Sequence, residues 1–115
     1  MSNDCIFCKI ITGKVRAEIV DQNQYVLAFR DINPQAPTHI LIIPKKHISS
    51  SRELKKINIK YFSEMTLLAQ KIAINEKIFK EGYRLVINTG DNGGQTVNHI
   101  HLHLLGGRKM NWPPG

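Results

Sequence analysis

Polar and apolar residues alternate strictly over residues 99–104, where His99, His101 and His103 interleave with Ile100, Leu102 and Leu104. A strand turns successive side chains to opposite faces, so this spelling predicts three imidazoles on one face and aliphatics on the other. Neighbouring rings would stand roughly 6–7 Å apart. Residues 39–44 (H-I-L-I-I-P) are a near-continuous apolar run, the mark of a strand buried on both faces, with His39 at its mouth. Residues 19–20 and 25–29 read as two strands around a turn at 21–24, and residues 84–89 as another. From 58 to 81, Phe62, Met65, Leu68, Ala69, Ile72 and Phe79 recur at helical spacing, which predicts one long helix closed by Gly82. Residues 52–56 predict a single helical turn. Ile6, Phe7, Ile10 and Ile11 predict a short helix ending at Gly13.

Composition narrows the class. A length of 115 residues and 13.1 kDa supports one domain, residues 1–115, with one core. No apolar stretch approaches the ~20 residues of a membrane span, and the first residues lack the regions of a signal peptide, so the expectation is a cytoplasmic protein without a membrane partner. The net charge of +7 is scattered, with Lys45-Lys46 and Lys55-Lys56 the only doublets. No basic helix face or aromatic-interleaved stripe suits nucleic acid. The charge instead favours a small phosphorylated ligand.

Candidate chemistry gathers around the histidines. Cys5 and Cys8 form a C-x-x-C pair. A redox dithiol would want a preceding strand, and a disulfide would want an oxidising compartment. Half of a tetrahedral Cys₂His₂ zinc site is the reading the nearby histidines favour, His47 being the most accessible candidate outside the cluster. Asp31, beyond a strand end, suits either a sugar diol or a local turn cap. The loop at 90–96 reads alone as an N-G hairpin connection. Ahead of three histidines, its Gly93-Gly94 pair and Thr96 also suit a phosphate cradle. Residues 88–107 offer one carboxylate, Asp91, too few for a two-metal phosphatase or a kinase. A neutral imidazole can attack phosphorus and hold the group covalently while a second moves protons, and His101, flanked on both sides, is the natural nucleophile. A metal site built on two or three of these histidines is the rival.

The stretch H-I-H-L-H-L-L at 99–105 resembles the H-φ-H-φ-H-φ-φ signature (φ, hydrophobic) of the histidine triad, or HIT, superfamily. Residues 31–39 (D-I-N-P-Q-A-P-T-H), 43–48 (I-P-K-K-H-I), 88–95 (N-T-G-D-N-G-G-Q) and 106–115 (G-G-R-K-M-N-W-P-P-G) resemble its HINT branch. The resemblance implies an α+β fold with a five-stranded antiparallel sheet, one long helix and a short N-terminal helix. It implies a homodimer whose sheets join into ten strands. It also implies binding of purine nucleoside monophosphates and hydrolysis of 5′-phosphoramidates such as AMP-lysine or AMP-NH₂ through a nucleotidyl-histidine. On that basis His101 is the nucleophile, His103 contacts phosphate and assists proton transfer, and His39 supports the site. Asp31 and Ile32 contact the ribose, and Asn88, Gly94 and Thr96 lie near the phosphate. Trp112 comes from the partner subunit's tail. Structural zinc falls to Cys5, Cys8, His47 and His99, with no Mg²⁺ requirement. A nucleotide-binding adaptor and a dinucleoside polyphosphate hydrolase are the alternatives, the W-P-P-G tail speaking against the second.

Overall fold

A computed structural model describes residues 4–115. The strands β1 (Ile19–Gln22), β2 (Val26–Arg30), β3 (Thr38–Pro44), β4 (Tyr83–Val86) and β5 (Leu102–Gly106) form one antiparallel sheet in the order β1-β2-β3-β5-β4. Helix α1 (Ile6–Ile11) covers one face and the long helix α2 (Ile59–Asn75) the other. The fold is therefore α+β, as expected.

The two faces separate cleanly by residue parity. Ile40, Ile42, Ile100, Leu102 and Leu104 pack against Met65, Leu68, Ala69 and Ile72 of α2. Leu27, Phe29, Leu41 and Ile43 pack against Cys5, Phe7 and Ile10 of the α1 segment. Being covered on both sides, β3 is buried at every position, which is why its sequence shows no alternation. Fully burying each such Ile or Leu is worth about 1.5–3 kcal/mol.

Several boundaries differ from the sequence expectation. The long helix stops at Asn75, not Glu81, because Lys77 adopts a left-handed conformation (φ 63°). The Lys77 N–H then donates to the Ile74 carbonyl (3.1 Å) and the Ile78 N–H to that of Ala73 (3.0 Å), closing the helix with Ile78 buried. Gly82 serves a later turn, and Phe79 lies outside the apolar stripe, 45% exposed. The expected hairpin loop contains a one-turn helix, α3 (Gly90–Gly93), closed by left-handed Gly94. The turn at 52–56 is a 3₁₀ turn at Ser51–Glu53, and β4 begins and ends earlier than expected, at Tyr83–Val86.

The most instructive difference concerns the histidines. Pairing of β5 with β3 begins only at Leu102, opposite Ile42, so His99 and His101 precede the ladder. Pro44 has no N–H to extend it. The preceding segment is held instead by the Ile100 N–H on the Ile48 carbonyl, 2.7 Å. Alternation nevertheless persists, with Ile100 in the α2 core and His101 on the α1 face.

Candidate functional site

Cys5 caps the N-terminus of α1, its sulfur accepting from the Cys8 N–H, and so both thiols sit in one turn. That turn faces His47, beyond β3, and His99. Cys5 Sγ lies 3.3 Å and Cys8 Sγ 3.6 Å from His99 Nδ1. Cys8 Sγ is 3.4 Å from His47 Nδ1, and the two imidazole Nδ1 atoms are 3.1 Å apart. Tetrahedral Zn²⁺ with ordinary Zn–S and Zn–N bonds spaces its ligand atoms about 3.3–3.8 Å apart, so the thiol–imidazole distances fit that ion, and the two imidazoles stand slightly closer than it would hold them. His99 Nε2 lies 2.9 Å from the Pro44 carbonyl and donates to it, which leaves the Nδ1 lone pair for a metal. Burial lowers the His99 pKa to about 4, keeping the ring neutral. Burial and the neighbouring Cys5 push the Cys8 thiol up to about 11, and a divalent cation supplies the field needed to ionise such a thiol.

The second cluster is a chain of imidazoles. The Gln35 backbone N–H donates to His39 Nδ1 at 3.0 Å, so neutral His39 carries its proton on Nε2. That atom lies 2.9 Å from His103 Nδ1 and donates to it, which puts the His103 proton on Nε2. His103 Nε2 is buried and has no hydrogen-bond partner among the described residues. An orphan buried donor is costly and calls for an acceptor. Asp31, His39 and His103 have donor atoms close enough to suggest a second metal site. The Gln35 N–H rules against it, because it occupies the His39 Nδ1 lone pair and leaves Nε2 protonated.

His101 has the opposite tautomer. Its Nδ1 lies 2.7 Å from the His99 carbonyl and must donate to it, so the Nε2 lone pair is free. Burial lowers the His101 pKa, and burial, then His101 and His39, lower that of His103 to about 4. Burial likewise lowers the His39 pKa, with Asp31 opposing. All three rings are neutral near pH 7. The His101 and His103 ring centroids are 5.1 Å apart.

Both rings line a cleft of about 560 Å³, walled by Phe7, Ile10, Phe29 and Leu41 and edged by Asp31, Ile32 and Thr96. The dimensions and apolar walls suit a planar base with a phosphate among the imidazoles. Asp31 takes the turn-cap role its position allowed and also lines the cleft. Its Oδ1 accepts from the Asn33 N–H at 2.8 Å as a turn cap, while Oδ2 faces His39 Nε2 at 3.4 Å. Ile32 is fully exposed at the cleft edge. Asn88, Gly94 and Trp112 do not line the cleft, Trp112 standing 82% exposed on the tail.

Sequence reasoning missed three contributors. Phe7 was legible as a helix core position, yet it forms edge-on contacts with His99 and His101 at 5.8 and 5.1 Å. Gln35 acts through its backbone, which leaves no sequence signal. Gln95 accepts the Gly90 N–H at 3.0 Å and donates to the Ser49 and Val97 carbonyls at 2.7 and 2.9 Å, tying the glycine-rich segment to the histidine stretch.

Comparison with known proteins agrees with this geometry. The HIT domain family matches residues 12–110. The purine nucleoside phosphoramidase of Escherichia coli strain K12 is 48% identical over 110 residues, covering 96% of this chain and 92% of its own. A 14 kDa zinc-binding protein from Zea mays is 49% identical over 112 residues, covering 96% and 87%. A crystal structure of a HIT family hydrolase from Legionella pneumophila Philadelphia 1 superposes with a TM-score of 0.95 at 51% identity, covering 97% of this chain and 100% of that one.

Proposed function

The chain belongs to the HIT domain family, and we propose that it hydrolyses purine nucleoside 5′-phosphoramidates of the AMP-lysine or AMP-NH₂ type through a nucleotidyl-His101 intermediate. One observation carries the reading: the His101 Nδ1–H bond to the His99 carbonyl leaves Nε2 unprotonated on a ring lining a nucleotide-sized cleft. In this reading the His101 Nε2 lone pair forms the bond to phosphorus while the P–N bond to the amine breaks. The amine leaves with a proton taken from solvent, which the attacking water of the second step returns, and the His103 Nε2–H sits on the non-bridging oxygens that gather charge. Water then cleaves the phosphorus–His101 bond, releasing AMP and the neutral imidazole. His39 holds the His103 tautomer and so supports the site.

The remaining assignments belong to the same proposal. Asp31 and Ile32 contact the ribose, with Asn88, Gly94 and Thr96 near the phosphate. Two chains join their sheets in a homodimer, which brings Trp112 to the partner's site. Cys5, Cys8, His47 and His99 hold a structural zinc, which supplies a rigid cross-link between α1, the segment after β3 and the histidine stretch. No step needs Mg²⁺, and the cytoplasm is the expected compartment. Side-by-side turnover of AMP-morpholidate and diadenosine tetraphosphate tests the substrate class. Preference for the phosphoramidate supports the reading, and preference for the dinucleotide overturns it.

A further inference from the structure

We propose that the Cys5–Cys8–His47–His99 metal site fixes the orientation of His101, making Cys8 and Phe7 positioning residues of the imidazole site and not merely stabilisers of the fold. The inference rests on the reading of these four residues as zinc ligands and of His101 as nucleophile. The backbone around His99 and His101 lies ahead of the β3–β5 ladder, which starts at Leu102. No β3–β5 ladder bond reaches the His99 carbonyl; its peptide is held by the Ile100 N–H on the Ile48 carbonyl, and its acceptance of the His101 Nδ1–H at 2.7 Å decides which nitrogen of that ring is free. The second anchor of residue 99 is its side chain, gripped by the thiols and His47 on one nitrogen and by the Pro44 carbonyl on the other.

A second contact runs in parallel. Phe7 sits between the two cysteines in sequence, and the ligand turn presents it edge-on to both His99 and His101 while it walls the cleft. His101, 5% exposed, is thus held between a carbonyl and a ring that the same four-ligand cluster places. Releasing the ligand turn loosens both supports at once, leaving the Ile100–Ile48 backbone bond to hold the His99 peptide alone. Misplacing a reacting group by about 1 Å can cost about a hundredfold in rate, and losing an orienting partner about ten- to a hundredfold.

The test compares native protein with Cys8→Ala and Cys8→His, each assayed for bound zinc, folded fraction, single-turnover rate with AMP-morpholidate and the His101 tautomer by nitrogen-15 NMR. The expected result is one tautomer, protonated on Nδ1, in the native protein. Cys8→Ala gives a tautomer mixture and a loss of about tenfold or more in rate per folded molecule, and zinc-loaded Cys8→His restores both. A metal-free, folded Cys8→Ala protein with the native tautomer and rate overturns the proposal. Should Cys8→Ala fail to fold, Phe7→Leu decides the matter, since it keeps all four ligands. A tautomer mixture with weakened AMP binding is then expected, and native values for both overturn the proposal. Absence of a nucleotidyl adduct in the native protein would sink the functional reading alone, because the tautomer comparison does not depend on turnover.

Discussion

His39 Nε2 stands 2.9 Å from His103 Nδ1, a strand-to-strand contact between β3 and β5 that assigns the protons of both rings. The assignment starts outside the pair, at the Gln35 N–H, and ends at a buried N–H with no acceptor among the described residues. A backbone group thereby determines which edge of His103 is a donor.

His39→Ala leaves His103 Nδ1 and the Gln35 N–H unpaired. The expected loss in phosphoramidate turnover is on the order of ten- to a hundredfold. His39→Gln retains a side-chain donor and should recover part of that loss. Steady-state kinetics on the two variants check this, and native rates in His39→Ala would contradict the relay.

Metal analysis should find about one equivalent of zinc per chain. Stripping it with a chelator should lower the melting temperature by more than about 5 °C, as followed by circular dichroism. Metal-free protein of native stability and activity would remove the zinc assignment.

Arg30, at the end of β2, clamps Glu76, the C-cap of α2, through two bonds of 3.0 and 2.9 Å. The Arg30 hydrogen bonds hold the Glu76 carboxyl below its ordinary value of 4.5. A depressed carboxylate contributes stability above its unfolded pKa, and this is lost as pH falls through the lower folded value. Glu76→Gln should cost about 1 kcal/mol at neutral pH, a low figure because Arg30 is partly exposed. It should also flatten the acid side of the stability curve. Urea midpoints measured from neutral to acid pH check both effects, and parallel curves for native and variant would contradict them.

Gln95→Ala removes three hydrogen bonds that tie the start of α3 at Gly90 to Ser49 and Val97. The expected destabilisation is about 1–3 kcal/mol, with weaker AMP binding as the Thr96 side of the cleft loosens. Denaturant titration and calorimetry read the two effects. Unchanged AMP affinity would separate Gln95 from the site.

Where hydrophobic pattern alone decides structure, the sequence was readable. The alternation at 99–104 predicted the split of imidazoles from aliphatics, and the unbroken run at 39–44 predicted a strand covered twice. The C-x-x-C turn and two histidines were legible as metal donors by residue type, although their convergence is a tertiary fact. Boundaries set by single backbone groups were not legible. Lys77 takes a left-handed conformation that its type does not advertise, and Pro44 shortens a ladder written in another segment. The tautomers of His39, His101 and His103 were hidden for the same reason: the Gln35 N–H and the His99 carbonyl, which assign them, belong to every residue alike.

Reaction of the native protein with AMP-morpholidate, quenched within one turnover and mapped by peptide mass spectrometry, tests the central claim most directly. An AMP increment is expected on the peptide carrying His101, localised to that residue by fragmentation and lost in His101→Ala. An increment on His103 or His39, or turnover that persists in His101→Ala, would contradict it.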